Sequence, residues 1–380
     1  RVAMFMGNRP ELVELSLACF FIGAVAVPLN SRYLADEVMY ACRKSKPGVF
    51  ITDAHRLPIV KKLRAKPEFP KHFYVLDGNP QDDIGSWTQV IKPARPMGSF
   101  QLPDNPDHPA LILFTSGSTS KPKGVTHTHK SILATLQSRQ ETQRLEKEDI
   151  ILVGTLICHG AGSIGAIYPS LYTGGTILLL EKYDPSDWLE SVIKYRPTRA
   201  GLLPTQLLDA VTHERANSVD YSSLKEVLTG GGIVSHDLYV RFRQVVGSEL
   251  LEGYGLTECE GVCLPRYYEA VKLGSIGKPR AGVEVMLVDQ AGDEVDAGNS
   301  GEIWIKSDSV MAGYWEDHEN TAKTFTDDWL KTGDLAHRDE EGYFYFTGRI
   351  KELIIKGGSN VSPGEVEQVL DDHPEVVISG

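Results

Sequence analysis

From Leu111 an apolar stretch runs into T-S-G-S-T-S-K-P-K-G, which spans Thr115 to Gly124. Hydroxyls, glycines and lysines interleaved this closely can surround a polyphosphate with amide, hydroxyl and ammonium donors. The spacing is not G-x-x-x-x-G-K-[ST], so this is not the common P-loop. A Ser-rich turn capping a helix would have a similar composition, and only the order of the residues separates the two. Further on, L-E-G-Y-G-L-T-E spans Leu251–Glu258, W-L-K-T-G-D spans Trp329–Asp334, and F-T-G-R-I-K-E-L-I-I-K-G-G-S-N-V-S-P-G-E-V-E spans Phe346–Glu367. A carboxylate attacks the α-phosphorus of a nucleoside triphosphate poorly unless the charge is neutralised and the nucleophile is held in line. Lysine, hydroxyl donors and a hard carboxylate for Mg²⁺ are the residue types that such a reaction needs.

In this order the segments resemble the adenylate-forming superfamily of acyl-CoA synthetases, adenylation domains and luciferases, whose phosphate loop reads T-S-G-[ST]-T-G-x-P-K-G. The form G-Y-G-L-T-E and His159 look closest to fatty-acyl, medium-chain or aryl-CoA synthetases. The resemblance implies that Thr115, Ser116, Gly117, Ser118, Thr119 and Lys123 hold the β- and γ-phosphates, that Thr257 meets the α-phosphate, and that Glu258 binds Mg²⁺. Tyr254, between Gly253 and Gly255, would present a ring face to adenine, and Gly231 and Gly232 would line the adenine site or an acyl tunnel. Asp334 would accept from both ribose hydroxyls, with Arg349 supplying further bonds. His159, in H-G-A-G, matches the family's H-x-x-G near the carboxylate and thiol entrance, although a structural histidine is the alternative. Lys351 matches a hinge position between lobes, Lys356, Gly357 and Gly358 match a loop that enters the site for thioester formation, and Glu365 matches the acidic residue of V-x-P-x-E.

The resemblance therefore implies an ATP-dependent acid-thiol ligase. It would join a carboxylic acid to AMP with release of pyrophosphate, then pass the acyl group to coenzyme A. The alternatives are an adenylation domain that loads a carrier protein, a luciferase-type oxygenation that begins with the same step, and a nucleotide-binding protein that has lost catalysis. Three departures bear on activity. Ser120 replaces the second loop glycine, which matters if that glycine has positive φ. Val234 stands where proline is common after the glycine run. The family lysine that contacts the carboxylate and α-phosphate has no match before Gly380, so weak turnover is expected of these residues. Small residues at Ala161, Gly162, Gly230, Gly231 and Gly232 would leave a tunnel for a bulky acid.

These residues need a scaffold. Val2–Met6, the helical spacing of Pro10–Phe21, Ala24–Val27, the helix of Leu34–Ser45 and Val49–Thr52 alternate as β-α-β-α-β, which predicts a parallel sheet covered by helices. Phe73–Leu76 adds a strand, and Lys92–Pro109, with five prolines, is a connection. A second such block starts near Ile150, with strands at Thr176–Leu180, Ala200–Leu203 and Val227–Leu228 between helices at Ser186–Lys194 and Gln206–Thr212. From Gly274 short runs broken by glycine (Val283–Val288, Gly301–Lys306, Tyr343–Thr347) predict a small antiparallel or barrel-like unit. Pro363–Leu370 opens a helix. The expected organisation is α/β. A large N-terminal domain covers 1–350, with αβ subdomains over about 1–150 and 151–273 and a β subdomain over 274–350. The hinge and the start of a truncated mobile lobe follow over 351–380.

Composition narrows the functional classes. With 39 Lys+Arg against 51 Asp+Glu over 380 residues, net −12, the chain lacks the clustered positive charge of a duplex-binding surface, and no nucleic acid is expected as a partner. Five scattered cysteines suit reduced thiols and a cytoplasmic protein rather than a disulfide scaffold. The uncharged stretch Ile150–Leu180 contains six glycines, Pro169 and His159, so it is expected to form loop, helix and buried strand rather than an integral membrane segment. His127 and His129 would share a face of a strand, but His129 also falls at the family's frequent Thr-His just past the phosphate loop, and Cys259 and Cys263, two thiols without other ligands, would approach on a helix as core residues. A homodimer is compatible with these residues.

Overall fold

The computed structural model describes residues 1–77, 85–86, 104–115, 121–267, 269–352, 354–356, 359–361, 366 and 369–370. Near-continuous apolar strands are what a sheet covered on both faces requires. Val2–Phe5 is such a strand, with Ala3, Met4 and Phe5 fully buried. It pairs in parallel with Ala26–Pro28 on one side and Val49–Thr52 on the other. Pro109–Phe114 extends the sheet beyond Ala26–Pro28, while His72–Val75 and Gly85–Ser86 extend it beyond Val49–Thr52, all in parallel. The crossover helices are Pro10–Phe21, with proline in the first turn where a missing N–H costs nothing, and Ala35–Ser45, which stops at left-handed Lys46.

Gly124–Thr128 then folds back antiparallel on Pro109–Phe114, pairing Phe114 with Gly124. The ends of the hydroxyl-rich segment are thereby tied together, and the Thr115 N–H donates to the Lys123 carbonyl at 3.0 Å. At the edge Gly313–Tyr314 adds an antiparallel strand. The expected division at residue 274 does not anticipate this pairing, because two residues have no period to detect. Burial explains it, since Trp315 packs against one core and Tyr314 belongs to another.

The second sheet is wholly parallel, in the order Leu250–Glu252, Glu226–Thr229, Arg199–Leu202, Ile150–Val153, Thr176–Leu179. Helix Pro185–Tyr195 is capped by Asp184, which accepts from the Ser186 N–H at 2.8 Å, and it buries Trp188 and Leu189 against the sheet. Val234 packs on the same core, so the residue found in place of proline has an apolar role. Arg199 is buried between Asp149 and Glu226 and joins the base of this layer. No helix among the described residues is long and apolar enough to cross a membrane.

Antiparallel pairing takes over from Tyr254. A three-stranded sheet of Tyr254–Leu256, Cys259–Leu264 and Lys278–Pro279 is followed by one built on Glu284–Val288, Ser300–Lys306, Trp329–Arg338 and Phe325–Thr326, with Phe344–Arg349 also paired to Trp329–Arg338. Cys259 and Cys263 lie on a strand rather than the expected helix; four residues apart, both thiols face the core and are fully buried. His127 and His129 also differ from the expected pair, since the strand ends at Thr128, whose side chain caps the helix beginning at His129. No group of three or more His, Cys, Asp or Glu among the described residues could hold a metal ion.

Candidate active site

Three groups of the candidate residues converge where the antiparallel strands meet the two parallel sheets. The first joins Lys123 to Glu258. The edge strand Gly313–Tyr314 puts the Tyr314 ring under Lys123, whose Nζ lies 4.4 Å from the ring centroid. The Tyr314 hydroxyl donates to Glu258 Oε1 at 2.7 Å, and the Met311 N–H donates to the Glu258 carbonyl at 2.8 Å. One tyrosine thus links the cation expected on phosphate to the carboxylate expected on Mg²⁺. Thr115 stands at the root of the same corner, its Oγ1 accepting from the Lys123 N–H at 3.2 Å. Thr257 is held from behind, because fully buried His127 donates from Nε2 to its carbonyl at 2.8 Å. Burial pushes the His127 imidazole down to about 4, so it is neutral at physiological pH. The expected partners Ser116, Gly117, Ser118 and Thr119, and the departure at Ser120, lie outside the described residues.

The second group joins Tyr254, Asp334 and Arg349. Trp329–Arg338 bulges against Ser300–Lys306: Lys331 pairs with Trp304 and Leu335 with Glu302, so three residues face one. Gly333 supplies the left-handed φ of 74° there, and its N–H is taken by Glu302 Oε1 at 2.8 Å. The bulge turns the Asp334 carboxylate inward, where it is 5% exposed. Tyr254 OH donates to Asp334 Oδ2 at 2.6 Å, and Arg349 Nε, on the paired strand, lies 3.1 Å from Oδ1. Burial raises the Asp334 carboxyl above its ordinary range, with Tyr254 and Arg349 pulling the other way. The Tyr254 ring stacks on Phe346 with centroids 6.1 Å apart, so the expected aromatic platform is itself supported.

The third feature is a cavity of about 150 Å³ between the second sheet and strand Cys259–Leu264. Ala161, Gly230 and Gly231, three of the small residues expected along a tunnel, line it together with Tyr254 and Gly255. Gly162 and Gly232 do not line it, which corrects that expectation. A Cβ on Gly162 would sit 2.3 Å from the Leu156 carbonyl oxygen, so the small residue there serves a tight turn, and one on Gly232 would face Pro204 at 3.5 Å. Gly255 has its own steric reason, because a Cβ would lie 2.3 Å from the Gly261 nitrogen. His159 precedes the short helix Gly160–Gly162, with the Asn30 amide 3.3 Å from its Nε2. Burial, reinforced by Arg32, lowers its pKa. The following Gly160 packs against the turn that carries Thr257, since a Cβ there would fall 3.8 Å from Thr257 Cα.

Lys351 lies exposed in the turn Ile350–Glu352, and Lys356 ends the strand Ile354–Lys356; Gly357, Gly358 and Glu365 are outside the described residues. Sequence reasoning missed Tyr314, Glu302, Asn30, Arg139 and Glu260. Glu260 stands two residues beyond G-Y-G-L-T-E, where its spacing offered a signal; Arg139 offered none, being one polar residue on a mixed helix.

A family profile described as "AMP-binding enzyme" matches residues 1–315. Among curated relatives, a feruloyl-CoA synthase from Amycolatopsis is 34% identical over 99% of this chain and 74% of its own length. A long-chain-fatty-acid–CoA ligase from Bacillus subtilis is 30% identical over 100% and 73%. Among solved structures, an anthranilate CoA ligase in complex with anthranoyl-AMP superimposes with a TM-score of 0.93 at 27% identity, covering 99% of this chain and 73% of that one.

Proposed function

The chain belongs to the AMP-binding enzyme family, and from that premise we propose that it activates a carboxylic acid, fatty, medium-chain or aryl, as an acyl-adenylate and transfers the acyl group to coenzyme A. In the first step a carboxylate oxygen of the acid attacks the α-phosphorus of ATP, the bond to the β-phosphate oxygen breaks, and pyrophosphate leaves. In the second the CoA thiol gives its proton to solvent, its sulfur attacks the acyl carbon, the bond from that carbon to the phosphate oxygen breaks, and AMP leaves.

The observation that carries this reading is the Lys123–Tyr314–Glu258 cluster. Lys123 would stabilise the negative charge on the β- and γ-phosphates, and Thr257, its backbone fixed by His127, would hold the α-phosphate. A single hard carboxylate beside a phosphate site suits Mg²⁺, which keeps phosphate and water oxygens as its other ligands. Glu258 would hold it, and when bound it neutralises charge on the triphosphate and the departing pyrophosphate. Asp334 would accept from the ribose hydroxyls while Tyr254 fixes its orientation. His159, its pKa lowered by burial, would sit neutral where acid and thiol approach.

Single-turnover mixing of stoichiometric chain, ATP, Mg²⁺ and a panel of acids, with mass detection of acyl-AMP, tests it. Acyl-AMP should form with at least one acid and fall on the order of a hundredfold or more in Lys123→Ala and Glu258→Gln. Formation that these substitutions leave unchanged would refute the assigned roles.

A further inference from the structure

The cavity carries polar groups that the proposed chemistry does not use. Arg139, on helix His129–Gln143, lines the cavity at 4% exposure, and its Nε has no hydrogen-bond partner. Thr229, at the end of strand Glu226–Thr229, lines it at 2% exposure with Oγ1 likewise unpartnered. Glu260 lines it as well, and burial raises the pKa of its carboxyl. Buried polar atoms are almost always satisfied, and two orphans around one cavity point to a partner that occupies it. The surrounding chain makes room for these heads. A Cβ at Gly261 would fall 2.5 Å from Arg139 Nη1, and Cβ atoms at Gly160 and Gly165 would fall 2.9 and 3.0 Å from the Glu260 carboxylate oxygens.

The groups also say what kind of partner fits. A carboxylate would meet the acidic Glu260, and an ammonium would meet the Arg139 guanidinium. A hydroxyl satisfies both, since one oxygen donates its proton and accepts another. We propose that the acid activated by this chain carries a hydroxyl on its acyl or aryl portion, which donates to Glu260 and accepts from Arg139, with Thr229 as a further partner. The inference rests on the reading of the cavity as the acyl site of an adenylate-forming ligase. Arg139 and Glu260 are then specificity residues, remote from the reacting phosphorus, and a hydroxy acid is preferred over its unsubstituted parent.

The test is calorimetric titration of the 380-residue chain with AMP and with matched pairs of non-hydrolysable acyl sulfamoyl-adenosines: benzoyl and 4-hydroxybenzoyl, cinnamoyl and 4-hydroxycinnamoyl, hexanoyl and 6-hydroxyhexanoyl. In at least one pair the hydroxylated member should bind roughly tenfold to a hundredfold tighter, the range that a hydrogen bond to a charged group confers. Glu260→Gln and Arg139→Met should narrow that ratio. Partial loss of fold weakens both members of a pair alike and leaves the ratio intact, so the ratio separates recognition from scaffolding. Equal binding within every pair, or a ratio unmoved by both substitutions, overturns the proposal while AMP binding keeps the ligase reading. Failure of AMP and of every mimic overturns both.

Discussion

The ribose corner and the cavity wall both bury charged groups, yet they do so in opposite ways. Around Asp334 each carboxylate oxygen already has a partner, Tyr254 on one and Arg349 on the other, and the bulge that presents the carboxylate is fixed by Glu302. Around the cavity Arg139 Nε and Thr229 Oγ1 have none. A satisfied buried network is a preorganised tool, ready for a ligand that is the same in every turnover. An unsatisfied one leaves polar atoms for a ligand to pair, which suits the part of the substrate that sets specificity. The invariant half of the substrate would bind at the first region and the distinctive half at the second.

The largest effect is expected where the satisfied network is cut. Asp334→Ala strands the Tyr254 hydroxyl in the interior and removes the ribose acceptor. AMP affinity should fall a hundredfold or more, with a stability loss of roughly 1–3 kcal/mol in urea unfolding. Next come the phosphate residues: Lys123→Ala and Glu258→Gln should slow acyl-AMP formation by about 10²–10³ in single turnover while AMP itself still binds. An AMP affinity that falls as far as the rate would mean that Lys123 and Glu258 serve the fold or the nucleoside rather than the departing pyrophosphate. Tyr314→Phe should have a smaller effect, because it keeps the ring under Lys123 and removes only the 2.7 Å bond to Glu258. About tenfold in the adenylation rate, with AMP affinity unmoved, is the expected outcome.

The last expectation concerns pH. Buried His127 titrates near 4 in the fold and near 6.5 when unfolded, so between those values the unfolded chain binds the proton that the native chain excludes. Stability from this residue is complete above pH 6.5 and is lost as pH falls toward 4, by roughly 3 kcal/mol in all. His127→Gln should flatten that part of the pH–stability curve measured by urea unfolding. At neutral pH its effect on nucleotide binding should be the smallest of the set.

The parallel layers were legible because their periods are long enough to count. Pro10–Phe21 and Val49–Thr52 fall where the apolar pattern puts them, and the strand at Thr176 and the helix around Trp188 lie within a residue or two of expectation. Asp334 and Arg349 stood out through their short motifs, and the cross-strand register makes them neighbours. What stayed hidden depends on contacts distant in sequence. Tyr314 reaches Lys123 through a two-residue strand, and Glu302 shapes the Asp334 bulge from the facing strand. Arg139 and Glu260 meet one cavity from a helix and a strand more than a hundred residues apart. The tunnel glycines show the converse error: Gly162 is small because the backbone of its own turn leaves no space, a reason composition cannot distinguish from a ligand's need.

The measurement that bears most directly on the account is calorimetric titration of AMP and of one acyl sulfamoyl-adenosine into the wild-type chain and into Asp334→Ala, with folding of both checked by thermal unfolding. The account predicts saturable binding of both ligands to the wild type, the acyl compound tighter than AMP, and a loss of a hundredfold or more for both in the folded variant. Equal affinity in a folded Asp334→Ala chain, or no binding of either ligand to the wild type, would contradict it.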